Sequence, residues 1–381
     1  MKSFNVTTRS QRDPRLDVLR GMALITIFIN HVPGNAYEYL TSRNFGFSDA
    51  AEGFVLMSGI AAGLAYSKGF GKLPFTEAAG RMWARARKLY FVHMLIIALA
   101  IAILWAGVNF LGTTNLGDRV NFTRILTEPA ATVVGVLTLG HQLAYFNILP
   151  LYVMLLLAAP VFIMIGRRSL WGMIGVSAAI WFVSGYYRIN MPNFPGDGGW
   201  FFNPFSWQFL FVIGLAGGMA AKQGRSLVPP MRWLFWAAVA YLLFSLYWLW
   251  VTPGLLPGSE RLPFFVAGFD KTFLPGPRLL HVLALTYVLI NLEIVEAFCR
   301  SRYASVLDTF GRNSLPVFAS GSVMAMAFQL YGEVFETAFV ADTILLGTGL
   351  VLQYWIALYV SRTPATRPAG DRLAPARIQK R

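Results

Sequence analysis

The chain has 381 residues, of which 56% are hydrophobic and only 13% charged. Soluble domains average about 25% charged residues, so this composition excludes an ordinary water-soluble globular protein. The formal net charge of +14 raises nucleic acid as a partner, while the single cysteine, Cys299, excludes an intramolecular disulfide and any multi-cysteine metal site.

The first fifteen residues are polar and basic, and the apolar run after them, 17–36, is followed by no small-residue cleavage site. It reads as an uncleaved signal-anchor helix. Further apolar windows fall near 50–67, 89–107, 147–165, 169–187, 205–221, 232–251, 278–298, 314–331 and 338–360. Each is about long enough to cross a hydrocarbon core of roughly 30 Å as a helix. The piece Ala130–Gly140 is too short to span and reads as re-entrant or interfacial. No linker interrupts the pattern. The expected architecture is an all-α polytopic bundle of about ten transmembrane helices, one membrane domain over 1–361, with a disordered basic tail over 362–381.

The positive-inside rule orients this bundle. With both termini inside, 24 of the 32 Lys and Arg fall on the inner side, seven on the outer side, and Arg20 lies within the first span. A miscount by one span would destroy that asymmetry. The expected location is therefore an inner (cytoplasmic) membrane with both termini cytoplasmic, and the basic charge needs no nucleic acid to explain it.

Ionisable residues inside a membrane cost about 2.5 kcal/mol or more near its centre, so they are functional candidates. The first span reads LDVLRGMALITIFINHVPG, with Asp17, Arg20 and His31 in it or at its edge. Eleven residues separate Arg20 from His31, roughly 16 Å of helical rise and three turns plus about 20°, so both lie on one face. Asp17 is placed to pair with Arg20. The same residues also fit a packed histidine bonded to a carbonyl and an arginine snorkelling to the headgroups.

Arg43, Asn44, Ser48, Asp49 and Glu52 cluster where the second span opens. Ser48 or Asp49 can cap that helix, which accounts for one carboxylate. The functional reading has the other, Glu52 in preference, orient His31. Gly59 and Gly63 form a small-xxx-small pair suited to close helix approach.

On the inner side, Arg81, Arg85 and Lys88 repeat at helical spacing with Arg87 beside them. They read either as a topological anchor or as a phosphate site, where Arg offers bidentate bonding. The outer loops Arg188–Gln208 and Gly268–His281 are rich in aromatics, Gly, Pro and Asn. They could present Trp200, Trp207, Gln208, Asp270, Lys271, Arg278 and His281 to a carbohydrate, or form an interfacial aromatic belt. His93 and His141 receive no role. No GxSxG elbow, phosphate-binding GK[ST] loop or HExxH motif is present, and no metal site is expected.

LDVLRG with ten residues between Arg20 and His31 resembles the Arg-x10-His signature of integral-membrane acyltransferases of the type-3 class, and FVLMSG (Phe54–Gly59) resembles their FFxLSG element. RDPRLDVLRG, INHVPGN, RNFGFSDAAE, FNPFSWQFLF, DKTFLPGPRLLH and GRNSLPVF more specifically resemble the OpgC family, membrane proteins that succinylate osmoregulated periplasmic glucans in Gram-negative bacteria. The resemblance covers about Arg12 to Phe318.

That resemblance implies His31 as the essential histidine, Arg20 as its paired arginine, and Asp49 and Glu52 as the acidic positions of the second helix. It implies an acyl-CoA donor, succinyl-CoA in the family role, used as a substrate with no permanently bound cofactor, and a periplasmic glucan acceptor. The donor's phosphates would lie near Arg85, Arg87 or Lys88. Arg20 would hold the CoA arm or stabilise the oxyanion, and Arg43, Lys271 or Arg278 would meet a succinyl carboxylate. An alternative class is a proton-coupled transporter or flippase using Arg20, His31 and Glu52 as a relay. The absence of an internal repeat between the halves weighs against it.

Overall fold

In a hydrocarbon layer the backbone can satisfy its own polar groups only as helix or closed barrel, and long Leu, Ile, Val, Phe and Ala runs without period-2 alternation select helix. The computed structural model describes residues 13–251, 262–335 and 338–363, and no sheet occurs among them. The basic tail expected from 362 onward lies outside the described residues beyond 363.

The long helices are α1 (Pro14–Asn30), α2 (Ala50–Tyr66), α3 (Phe75–Leu111), α7 (Ile148–Arg168), α8 (Leu170–Tyr186), α9 (Pro204–Lys222), α10 (Arg232–Val251), α12 (Gly276–Asn291), α15 (Ser314–Val334) and α16 (Phe339–Arg362). Short helices α4 (Asn115–Arg119), α5 (Thr123–Thr127), α6 (Pro129–Leu137), α11 (Phe264–Ala267), α13 (Glu293–Arg300) and α14 (Ser305–Arg312) join them. Among the described residues, seven helices are long and apolar enough to cross a membrane, and the bent pair α12–α13, counted as one span, gives an eighth. Helices α1 and α8, each of 17 residues, sit at the lower limit of spanning length. All ten apolar windows are thus helical.

Three boundaries differ from the sequence windows. The α3 helix begins at Phe75 rather than near 89, because nothing between Glu77 and Lys88 breaks a helix; the basic cluster forms its first turns. The span expected over 278–298 is broken, with α12 and α13 meeting at 72°. Leu292 is extended there, and Arg15 caps the end of α12 by donating to the Ile290 carbonyl at 3.0 Å. The first span ends at Asn30 instead of 36, since Pro33 and Gly34 (φ +86°) turn the chain.

The closest packing joins α2 and α9. A Cβ on Gly59 would collide with the Phe211 carbonyl, on Gly63 with that of Leu215, on Gly214 with that of Leu56, and on Gly218 with that of Ile60. Two small-xxx-small pairs therefore face each other, on helices that run in the same direction. With 83% of its apolar window buried, α9 is the central post of the bundle. The α4–α6 segment folds over the end of the bundle opposite the basic loops. Arg119 pairs with Glu333, and a Cβ on Gly135 would strike the Phe194 carbonyl. Helix α6, with nine residues, is too short to cross.

Candidate active site

Helix α1 carries the two residues singled out by spacing, one near each end. Arg20 is buried; its Nη2 donates to the Met57 carbonyl of α2 at 3.1 Å, and its Nη1 lies 3.6 Å from Asp17. His31 is the C-cap, where the last carbonyls of a helix need outside donors. The Asn35 amide serves one of them, Ile29 at 2.9 Å, and also the Val32 carbonyl just beyond the helix at 2.5 Å. Gln329 of α15 donates to the carbonyl of His31 itself at 2.6 Å. The half-buried imidazole stands edge-on to Tyr145, with ring centroids 5.2 Å apart, and to Phe318 at 6.4 Å. No hydrogen bond to its ring nitrogens occurs among the described residues.

Beside it, the start of α2 gathers a charge cluster from three segments. Asp49 and Glu52 form a capping box: Asp49 Oδ1 accepts from the Ala51 amide at 2.8 Å, and Glu52 Oε2 accepts from the Asp49 amide at 3.0 Å. Arg278, in the first turn of α12, donates to Glu52 Oε1 at 2.7 Å and reaches Asp49 at 3.5 Å. Lys271 pairs with Asp49 and lies over the rings of Phe202 (5.5 Å) and Phe201 (5.9 Å). Two cations thus balance two carboxylates, the condition under which buried charge is tolerated. His281, one turn below Arg278, bonds Ser48 Oγ through Nδ1 at 2.7 Å; a Cβ at Gly46 would strike its ring. The Lys271 and Asp49 charges lie close enough to act on the His31 imidazole.

The structure therefore brings His31, Asp49, Glu52, Lys271, Arg278 and His281 to one end of the bundle, and Arg20 sits deeper on the same helix. Neither Asp49 nor Glu52 hydrogen-bonds His31; Arg278 engages both, and Lys271 pairs with Asp49. Trp207 is fully buried and donates to the Lys271 carbonyl at 3.0 Å, which fixes the segment bearing that ammonium. Gln208 is also buried, bonded to Ser177 (2.5 Å from its hydroxyl, 2.8 Å to its carbonyl) and to the Phe205 carbonyl. Both support the site from behind and present little surface to a ligand. Arg43 is exposed and 3.5 Å from Glu38, whose carbonyl accepts from Asn44 at 2.7 Å. Asp270 caps the turn Lys271–Phe273 and meets Arg188 at 3.4 Å.

At the opposite end, Arg85, Arg87 and Lys88 make no ion pair among the described residues. Arg85 and Arg20 both lie within electrostatic reach of the Tyr152 hydroxyl on α7.

Sequence reasoning missed Tyr145 and Gln329. Tyr145 lies in the loop after α6 with φ +71°, a left-handed conformation that bulky residues rarely adopt and that is held only where the surroundings enforce it. Nothing in the local sequence announces this, because the contact with His31 spans more than a hundred residues. Gln329 was detectable only as an isolated amide in an apolar helix.

A multi-pass helical membrane protein with a charged, half-buried site at one end of its bundle is the class these features define. The OpgC protein family model matches residues 12–365, nearly the whole chain, and the chain belongs to that family: it is an OpgC-type membrane acyltransferase. No curated protein and no solved structure matches it.

Proposed function

We propose that this enzyme moves a succinyl group from acyl-CoA on the basic face, cytoplasmic by the charge asymmetry of its loops, to a hydroxyl of a periplasmic glucan, with His31 as general base. The observation that carries the reading is the His31 imidazole: it ends α1 beside a balanced charge cluster, its backbone is clamped by Gln329, and its ring nitrogens have no hydrogen-bond partner among the described residues. A base must be positioned by its neighbours and still be free to reach the proton it takes.

Donor phosphates would meet Arg85, Arg87 and Lys88, and the donor's flexible arm would extend past Tyr152 and Arg20 toward His31. The arm has to cover the roughly 16 Å of helix between Arg20 and His31. The depth of Arg20, and its bonds to Met57 and Asp17, favour a role in holding the arm over one at the reacting carbonyl. The acceptor hydroxyl would approach from the other face, where Arg43, Asn44 and Asp270 would meet the glucan.

The acceptor oxygen attacks the thioester carbonyl as His31 removes its proton. The tetrahedral intermediate then expels the CoA thiolate, and the imidazolium returns the proton to it, so one ester forms, one thioester breaks and free CoA leaves. The Tyr145 ring stands against His31, and its hydroxyl would donate to the intermediate's oxyanion. Asp49 and Glu52 act indirectly, by holding Lys271 and Arg278. An ammonium has three donors, so Lys271 can bond Asp49 and still receive the far carboxylate of a succinyl group. No resident cofactor is required.

Mass spectrometry of periplasmic glucans from a deletion strain, complemented with wild type or His31→Ala at equal membrane levels, tests the reading. Wild type should restore a succinyl mass increment and the variant should not. A different increment changes the donor and keeps the reaction. Equal restoration by both proteins makes His31 structural and removes the mechanism.

A further inference from the structure

A cavity of about 940 Å³, separate from the site above, lies between α2, α9, α10 and α12. That volume is at the upper end of the roughly 300–1,000 Å³ typical of small-molecule sites. Its walls are apolar, with Leu56 and Ile60 from α2, Ile213 and Gly217 from α9, Leu234 from α10 and Leu283 from α12. None of His31, Asp49, Glu52, Lys271 or Arg278 lines it.

The cavity exists because α10 stands away from the bundle. Only 11% of its apolar window is buried, with Ala238 and Ser245 its two buried residues. Two tyrosine hydroxyls tie it to α12. At the basic end, Tyr287 accepts from the Met231 amide at 2.8 Å and donates to the Pro229 carbonyl at 3.0 Å. Midway along α10, Tyr241 donates to the Pro277 carbonyl at 3.0 Å, and near its far end the Trp250 indole donates to the Asn44 carbonyl at 2.8 Å. So held, α10 packs on α12, and the gap is left between that pair and helices α2 and α9.

The mouth at the basic end carries Lys222 and Arg225, both exposed and without a carboxylate partner among the described residues. Asp13, the one acidic residue on the rim among the described residues, is 2.7 Å from Arg15 and so is already neutralised. An apolar slot at hydrocarbon depth, ending in two uncompensated cations at the headgroup level, complements an amphiphile with one anionic head. A water-soluble anion would gain nothing from the apolar walls, and a zwitterionic head would bring its own cation to Lys222 and Arg225.

We propose that this slot binds one anionic phospholipid, with acyl chains between α9 and α10 and the phosphate on Lys222 and Arg225, and that the lipid completes the packing of α10 onto the bundle.

The test is native mass spectrometry of delipidated full-length protein titrated with phosphatidylglycerol or phosphatidylcholine of identical chains. Wild type should retain one phosphatidylglycerol per chain, bound at least fivefold tighter than phosphatidylcholine. Lys222→Gln with Arg225→Gln should reduce that preference to less than twofold. Gly217→Leu should weaken both lipids, because a Cβ there meets only Ile60 Cγ1, at 4.0 Å, and a larger side chain enters the slot without displacing backbone. Far-UV circular dichroism unchanged from wild type separates these effects from misfolding. Equal retention of the two lipids, or a preference that survives the double substitution, overturns the proposal. Displacement of phosphatidylglycerol by acyl-CoA, with a raised donor KM in the double variant, also overturns it and makes the slot the donor's entry.

Discussion

Replacing Arg278 by Met asks whether the cluster at the head of α2 is one compensated unit or a set of independent charges. The guanidinium lies 2.7 Å from Glu52 and 3.5 Å from Asp49, and the Glu52 side chain is fully buried. Methionine keeps an apolar stem of similar reach but leaves two carboxylates facing the single ammonium of Lys271. Removing one partner of a buried ion pair costs about 3–5 kcal/mol because the other charge is stranded; an exposed pair is worth about 1 kcal/mol or less. Glu52→Gln removes the opposite charge while Arg278 keeps Asp49, so its expected cost is smaller, about 1–3 kcal/mol. The double variant strands no charge and should be more stable than Arg278→Met alone by about 2 kcal/mol. Unfolding in mixed micelles by increasing SDS, followed by circular dichroism, measures all four proteins. A loss under about 1 kcal/mol for Arg278→Met, the exposed-pair value, or a double variant whose loss equals the sum of the singles, would refute the reasoning.

Other expectations follow from the same geometry. Gly214→Ala should destabilise by about 1–3 kcal/mol, since its Cβ would collide with the Leu56 carbonyl. Gly175→Ala on α8, with nothing within 4 Å of its Cβ, should be neutral or stabilising in the same SDS titration. Lys271→Met should shift the transferred group from succinyl toward uncharged acyl groups, seen as altered mass increments on the glucan; an unchanged acyl profile removes Lys271 from donor selection. Tyr145→Phe should lower kcat by about tenfold, the value of one lost hydrogen bond, with donor KM little changed. Replacing Arg85, Arg87 and Lys88 together by Gln should raise donor KM by more than tenfold and leave kcat near wild type; an unchanged KM makes them topological anchors.

Helix existence was legible because a membrane span needs only length and apolar content, and all ten windows proved helical. Their ends were less legible. Pro33 and Gly34 stop α1 at His31 within a run that remains apolar, and α12 breaks at Leu292 because Arg15, from the far end of the sequence, supplies a cap. Gly59 and Gly63 announced a close helix contact, but not that Gly214 and Gly218 would be the partners.

The site divides in the same way. Arg20 and His31 belong to one helix, so their shared face follows from 3.6 residues per turn, and the Asp49–Glu52 capping box is equally local. These the amino-acid order determined by itself, together with the membrane class and the family motifs. Only the tertiary structure decided that Lys271 and Arg278, more than 200 residues away, neutralise those carboxylates, that Tyr145 and Phe318 flank the imidazole, and that Trp207 and Gln208 turn inward as supports. The reason is physical: helical periodicity is encoded over a few residues, whereas a buried charge finds its counter-ion through whichever helices the packing of α2 against α9 brings alongside.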